Sequence, residues 1–235
     1  MTLDETMVAL EAAGSPTIKA IHRKHGATEP LFGVKVADLK LIAKRTGIDH
    51  ALAKALFAGG NYDARYLANY VVDDAKTTKA ELNAWVKSAT APMLSEYAVP
   101  WCAAASRFGT VVAAAWIDTP KAHIVAAGWC TYAALVAVTA DEELDATAYA
   151  ELLQRVGNEL RAQPDRVRSA MNRFVIAVGA YCVPLSAAAN RTAESIGTVV
   201  VDNGDTACKT PNAVEAIGKA IARGSLTKKR KTARC

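Results

Sequence analysis

The sequence predicts an all-α protein: an α-solenoid of stacked antiparallel helix pairs that curves to leave a concave face. Three observations carry that prediction. Ala, Leu, Lys and Glu dominate, and apolar residues recur three and four apart. Helix-breaking residues fall at intervals of about ten to twenty through most of the chain. Only one stretch, "TVVV" from Thr198 to Val201, reads as extended.

The elements follow from the punctuation. Breaks stand at Ser15-Pro16, Gly26, Gly47, Gly59-Gly60, Thr77-Thr78, Ala91-Pro92, Gly109, Thr119-Pro120, Gln163-Pro164 and Thr210-Pro211. Between them lie apolar sets on single helix faces, such as Leu39, Ile42 and Ala43, then Leu67, Tyr70 and Val71. Roughly a dozen short helices result. Two runs carry no charged residue, Ile124 to Ala140 and Phe174 to Asn190. Gly128 interrupts the first and Gly179 and Pro184 the second, so both read as helices buried on most sides rather than membrane spans. Short helices with tight connections stack as pairs, as in HEAT-like arrays, and the concave face of such an array is its usual binding surface. No 34-residue or 33-residue textual repeat recurs, so a globular helical bundle is the alternative.

With 235 residues and 51% hydrophobic content, the chain has material for a full core. The opening, MTLDETMVAL, is acidic where an export signal would be basic, which predicts a cytoplasmic protein. Cys102, Cys130, Cys182, Cys208 and Cys235 are scattered and odd in number, as expected of reduced thiols. His22 with His25 reads as a solvated helix end. Asp202, Asp205 and Cys208 beside Gly204 offer too few donors for calcium or zinc, so no metal and no other cofactor is expected. The net charge of +5 equals the charge of the last residues, where Lys228, Lys229, Arg230, Lys231 and Arg234 stand without an acid. This divides the chain into a helical domain, 1–225, and a basic tail, 226–235, expected to be solvated and free to bind phosphates.

"LFGVKVADLKLIAKRTG", from Leu31, and "NYDARYLANYVV", from Asn61, resemble the opening helices of the AlkD-like DNA alkylation-repair family. Three later stretches, "APMLSEYAVPWCAAAS", "AGWCTYAALVAV" and "RVRSAMNRFVIAVGAY", fall in the order of that family's groove-lining helices. The resemblance spans about residues 30 to 190 and implies a HEAT-like solenoid binding duplex DNA, intact or damaged, in a basic concave groove. Several members are glycosylases for alkylated purines, with a Trp-x-x-x-Asp arrangement and an Arg on a later helix. Here helix order puts Tyr97 in the place of that Trp, Trp101 in that of the Asp and Tyr132 in that of the Arg. Ala180, beside Tyr181, takes the place of another groove Trp. Hydrolysis of a glycosidic bond needs charge stabilisation or a base, so this departure argues against the standard chemistry. Glu96 is the nearest substitute carboxylate if the register shifts by a turn.

Tyr97 with Trp101, and Trp129 with Tyr132, share helix faces; they line the groove and stack on bases, or they belong to the core. Arg166, Arg168 and Arg173 are candidate phosphate contacts, with a solvated helix start near Asp165 as the plainer reading. Asn172 either donates to a ligand or ties down a backbone carbonyl. The expected function is nucleic-acid binding without standard glycosylase activity. The alternatives are a scaffold holding a peptide or helix in its concave face and an active glycosylase with rearranged catalytic groups.

Overall fold

The computed structural model describes residues 1–202, 206 and 208–234. It is all-helical, with thirteen α-helices and no strand among these residues. They are α1 Leu3–Ala12, α2 Pro16–Lys24, α3 Val36–Thr46, α4 His50–Ala58, α5 Tyr62–Val71, α6 Lys79–Ser88 and α7 Val99–Ala105. There follow α8 Gly109–Trp116, α9 Ala122–Val138, α10 Ala146–Glu159, α11 Asp165–Tyr181, α12 Ser186–Ile196 and α13 Ala213–Ala222. "TVVV" stays outside any sheet, and Val199 simply inserts into the core.

Local chemistry sets the helix starts. Thr2 with Glu5, and Thr78 with Glu81, form reciprocal capping boxes for α1 and α6. Asp49, Asn61, Asp145 and Asn212 accept backbone N–H groups at the starts of α4, α5, α10 and α13. The "LFGVK" segment wraps around one buried carboxylate: Asp63 accepts from the N–H groups of Phe32 at 2.6 Å, Gly33 at 3.1 Å and Val34 at 2.9 Å. Gly33 lies at φ +84°, where a Cβ would stand 2.4 Å from the Lys19 nitrogen, so only glycine fits. The two motifs that carry the family resemblance thus form one structural knot.

The centre of the stack is α9 against α11, with α8 packed on the outer side of α9 and α12 and α13 on α11. The charge-free run from Ile124 supplies α9, which is buried along nearly its whole length. At Gly128 a Cβ would lie 2.7 Å from Ile117 Cγ2 and 3.0 Å from the Ala113 carbonyl, so the missing side chain sets how closely α8 and α9 cross. The second run is split, because Pro184 brings no N–H: α11 ends at Tyr181 and the chain bends 115° into the segment that carries α12. No single helix among the described residues is long and apolar enough to cross a membrane.

The tail is not the solvated terminus that its charge suggested. Residues 226–234 run back over the helices as a strap. The Arg230 N–H donates to the Ala137 carbonyl at 2.8 Å, and Ala233 is buried in the core. Lys229 Nζ donates to the carbonyls of Val136 at 2.9 Å and Tyr181 at 2.6 Å, in the last turns of α9 and α11, and pairs with Asp141 at 2.7 Å. Arg234 grips both oxygens of Asp74, at 2.7 and 2.6 Å, and donates to the Asn69 carbonyl near the end of α5 at 2.6 Å. The physical reason is shared: helix C-termini present unpaired carbonyls and the negative end of the dipole, and a cation satisfies both. Cys235 lies outside the described residues.

Candidate nucleic-acid interface

A π-helical turn, Leu94–Ala98, leads directly into α7 and aims Glu96 and Tyr97 at a cleft. Pro100 explains part of this geometry. In an α-helix the Glu96 carbonyl would pair with the N–H of residue 100, which proline lacks. Arg173 Nη1, from α11, donates to that carbonyl instead at 3.1 Å.

The cleft encloses about 720 Å³. Its walls are α2 and its C-cap, through Ile21, His22 and His25, the residues just before the π turn, Pro92 and Met93, the middle of α11, and the segment Cys208 to Pro211. An adjoining hollow of about 360 Å³ shares His25, Pro92, Glu96, Ser169 and Cys208 and extends to Lys24, Asp165 and Arg166. Glu96, 8% exposed, lies at the junction. Its carboxylate accepts from Arg166 Nε at 2.8 Å and stands 4.0 Å from Arg173 Nη2. Arg166 also donates to the Thr90 carbonyl at 2.7 Å and to Ser95 Oγ. Arg173 donates to the Tyr97 hydroxyl at 2.8 Å and to Cys130 Sγ at 3.3 Å, with its guanidinium over the Tyr97 ring. Burial disfavours charge on Arg173, but the Glu96 carboxylate and the hydrogen bonds that the guanidinium donates to Cys130 and Tyr97 outweigh it and hold the group protonated. Burial likewise pushes the Cys130 thiol up to about 11, so it stays a neutral packing group.

The three arginines of the α11 segment are therefore engaged by acids of the same chain, Arg168 by Asp165 and the other two by Glu96. This corrects the expectation of open phosphate contacts: an arginine at a buried surface needs a partner before it has a ligand. Asn172 donates to the Pro211 carbonyl at 2.9 Å, which ties the last cleft wall to α11, and its Oδ1 has no hydrogen-bond partner among the described residues.

Three aromatic candidates are core residues. Trp101, 7% exposed, packs edge-on against Tyr66 and Tyr97. Trp129 and Tyr132, 1% and 6% exposed, pack with Phe174, and Tyr132 also with Tyr149. Little of any of these rings is open for a base to stack on, because α5 and the π turn cover Trp101 on α7, and α9, which carries Trp129 and Tyr132, is buried along nearly its whole length. Tyr97 alone of the four is half-exposed and lines the cleft. Tyr181 sits at the far end of α11 beside Lys228, Lys229, Arg230 and Lys231 of the strap. Lys229 and Arg234, engaged as described, are not open to phosphates.

The sequence reading missed His22, His25, Met93, Ile176 and Lys209, which share the cleft. Their only linear signal was the His pair, and the apolar members look like any helix-face residue. His22 is held by the Val34 carbonyl at 3.0 Å and by the Tyr62 ring. Among the described residues no group of three His, Cys, Asp or Glu side chains could hold a metal; Asp205 and Gly204 lie outside them.

Comparison with known proteins agrees with this architecture. A family described as DNA alkylation repair enzyme matches residues 6–186. The uncharacterised proteins Lmo0209 of Listeria monocytogenes and Lin0241 of Listeria innocua are each 31% identical over 227 residues, covering 94% of this chain and 97% of theirs. A solved structure, from "a new family of proteins related to the HEAT-like repeat DNA glycosylases with affinity for branched DNA structures", is 34% identical. It superposes with a TM-score of 0.91 over all of both chains.

Proposed function

This chain belongs to the DNA alkylation repair enzyme family and has its HEAT-like repeat fold, and from that premise we propose that it binds DNA, branched DNA above linear duplex, without standard alkylpurine glycosylase chemistry. The DNA reading is carried by the full-length likeness to a protein with affinity for branched DNA. The absence of standard chemistry rests on the cleft carboxylate. Glu96 is shielded from solvent and its Oε1 accepts from Arg166, so it is poorly placed to take a proton from water or to face a developing sugar cation. Taken by helix order, the places of the family's Asp and Arg fall to Trp101 and Tyr132, both buried.

One observation favours a second reading. The larger cleft is lined by Ile21, Met93, Ile176 and Pro211, an apolar set that suits a peptide or helix. The two readings separate in one experiment. Fluorescence anisotropy with a labelled four-way junction and a linear duplex of equal length should give tighter junction binding that weakens with salt. Base release from methylated duplex should stay at background. Release abolished by Glu96→Gln would establish glycosylase activity, and no binding to either DNA at low salt would favour the scaffold.

A further inference from the structure

The strap forms a second basic surface, distinct from the cleft. A hollow of about 390 Å³ is bounded by Tyr181 at the end of α11, by Arg223 just after α13, and by Lys228 to Thr232. Five of its lining residues are Lys or Arg and none is acidic. Lys229 is neutralised by Asp141 beneath it. Arg223, Lys228 and Lys231 are exposed, and none of them takes part in an ion pair among the described residues.

Two features make this more than a solvated end. First, the segment is held in place: Lys229, the Arg230 N–H and Arg234 fasten it at three points to α9, α11 and α5. Cations on a fastened segment lose little conformational entropy on binding, unlike those of a loose tail. Second, the fastening holds the exposed cations Arg223, Lys228 and Lys231 around one hollow, where like charges repel one another and a bound polyanion would relieve that repulsion.

We propose that the strap binds the sugar–phosphate backbone of DNA, with Arg223, Lys228 and Lys231 as its phosphate contacts. This rests on the DNA-binding reading and adds to it a second contact surface. Arg166 at the cleft and Tyr181 at the hollow are fifteen residues apart on the same helix, about 22 Å at 1.5 Å per residue. DNA covers that distance in about six to seven base-pair steps of 3.4 Å. One duplex crossing both surfaces, or two arms leaving a branch point, would meet phosphates at each.

The test is the triple variant Arg223→Gln, Lys228→Gln, Lys231→Gln, which leaves Lys229 and Arg234 in place; an unchanged thermal unfolding midpoint verifies the strap. Binding of a labelled four-way junction is measured between 50 and 200 mM salt for the wild type, the triple variant and the cleft-rim variant Lys24→Gln, Lys209→Gln. Three lost phosphate contacts should lower the magnitude of the salt slope by up to about 2.7, so that the loss of affinity across that range shrinks by up to about 40-fold. A junction-binding wild type whose slope the triple variant leaves unchanged overturns the strap proposal alone. A wild type that binds no DNA at low salt overturns the reading beneath it as well. Reduced binding of an acidic peptide with unchanged DNA binding would reassign the surface to a protein partner.

Discussion

Replacing Glu96 by Gln should weaken the fold and strengthen DNA binding at once. The carboxylate is 8% exposed, 2.8 Å from Arg166 Nε and 4.0 Å from Arg173 Nη2. Removing one partner of a buried ion pair costs about 3–5 kcal/mol, mostly from the charge left behind. Here the lower end applies, because Arg166 keeps the Thr90 carbonyl and Ser95, and Arg173 keeps Tyr97, Cys130 and the Glu96 carbonyl. At about 2–4 °C per kcal/mol for a chain of this size, a loss of about 3 kcal/mol lowers the unfolding midpoint by about 6–12 °C. The same change removes a negative charge from the cleft, so the salt slope of DNA binding should steepen, by up to about 0.9 if one further phosphate is bound. Differential scanning calorimetry reads the first effect and anisotropy the second. Adding Arg166→Met removes both charges of the closest pair, so the double variant should be more stable than the sum of the single losses allows, by about 1–3 kcal/mol. A midpoint within 2 °C of wild type, with additive single losses, would refute the coupling of Glu96 to Arg166.

Arg234→Ala should cost about 2 kcal/mol through the lost contacts to Asp74 and Asn69, seen as a lower urea midpoint; an unchanged midpoint would mean that the strap is detached in solution. Gly33→Ala should yield little folded protein, since φ is +84° and the new Cβ would press on the Lys19 nitrogen; soluble protein of wild-type melting temperature would contradict the packing around Asp63. Glu81 governs part of the acid limb. Burial raises its carboxyl, but the Thr78 N–H, Lys54, the Thr78 hydroxyl and His50 outweigh it and hold the group down from 4.5 to about 2. A depressed folded value means stability that is present above pH 4.5 and lost as pH falls through about 2. Urea midpoints of wild type and Glu81→Gln should therefore converge on acidification, and parallel curves would rule this carboxylate out as the cause.

The sequence by itself determined the helices and the family. Apolar residues three and four apart, capping residues at Thr2, Asp49, Asn61 and Thr78, and the breaks at Pro16, Gly47 and Pro184 act within a few residues of chain, so the linear order carries them. The "LFGVK" and "NYDARYL" motifs were legible for a related reason: they meet in one knot where the backbone leaves room only for glycine at Gly33 and three N–H groups converge on the Asp63 carboxylate. What only the tertiary structure decided is which polar and aromatic side chains remain open. Tyr97 and Trp101 share a helix face in sequence, yet α5 covers one ring and the cleft exposes part of the other. Arg166 and Arg173 read as phosphate contacts until Glu96, seventy or more residues earlier, is found between them. The tail read as solvated because charge alone says so, and the carbonyls of Val136, Tyr181 and Asn69 that hold it come within reach of one segment only once the packing places the ends of α9, α11 and α5 along its path. Helix propensity and caps are local energies; exposure and charge pairing depend on which distant residue arrives, and that is fixed by packing.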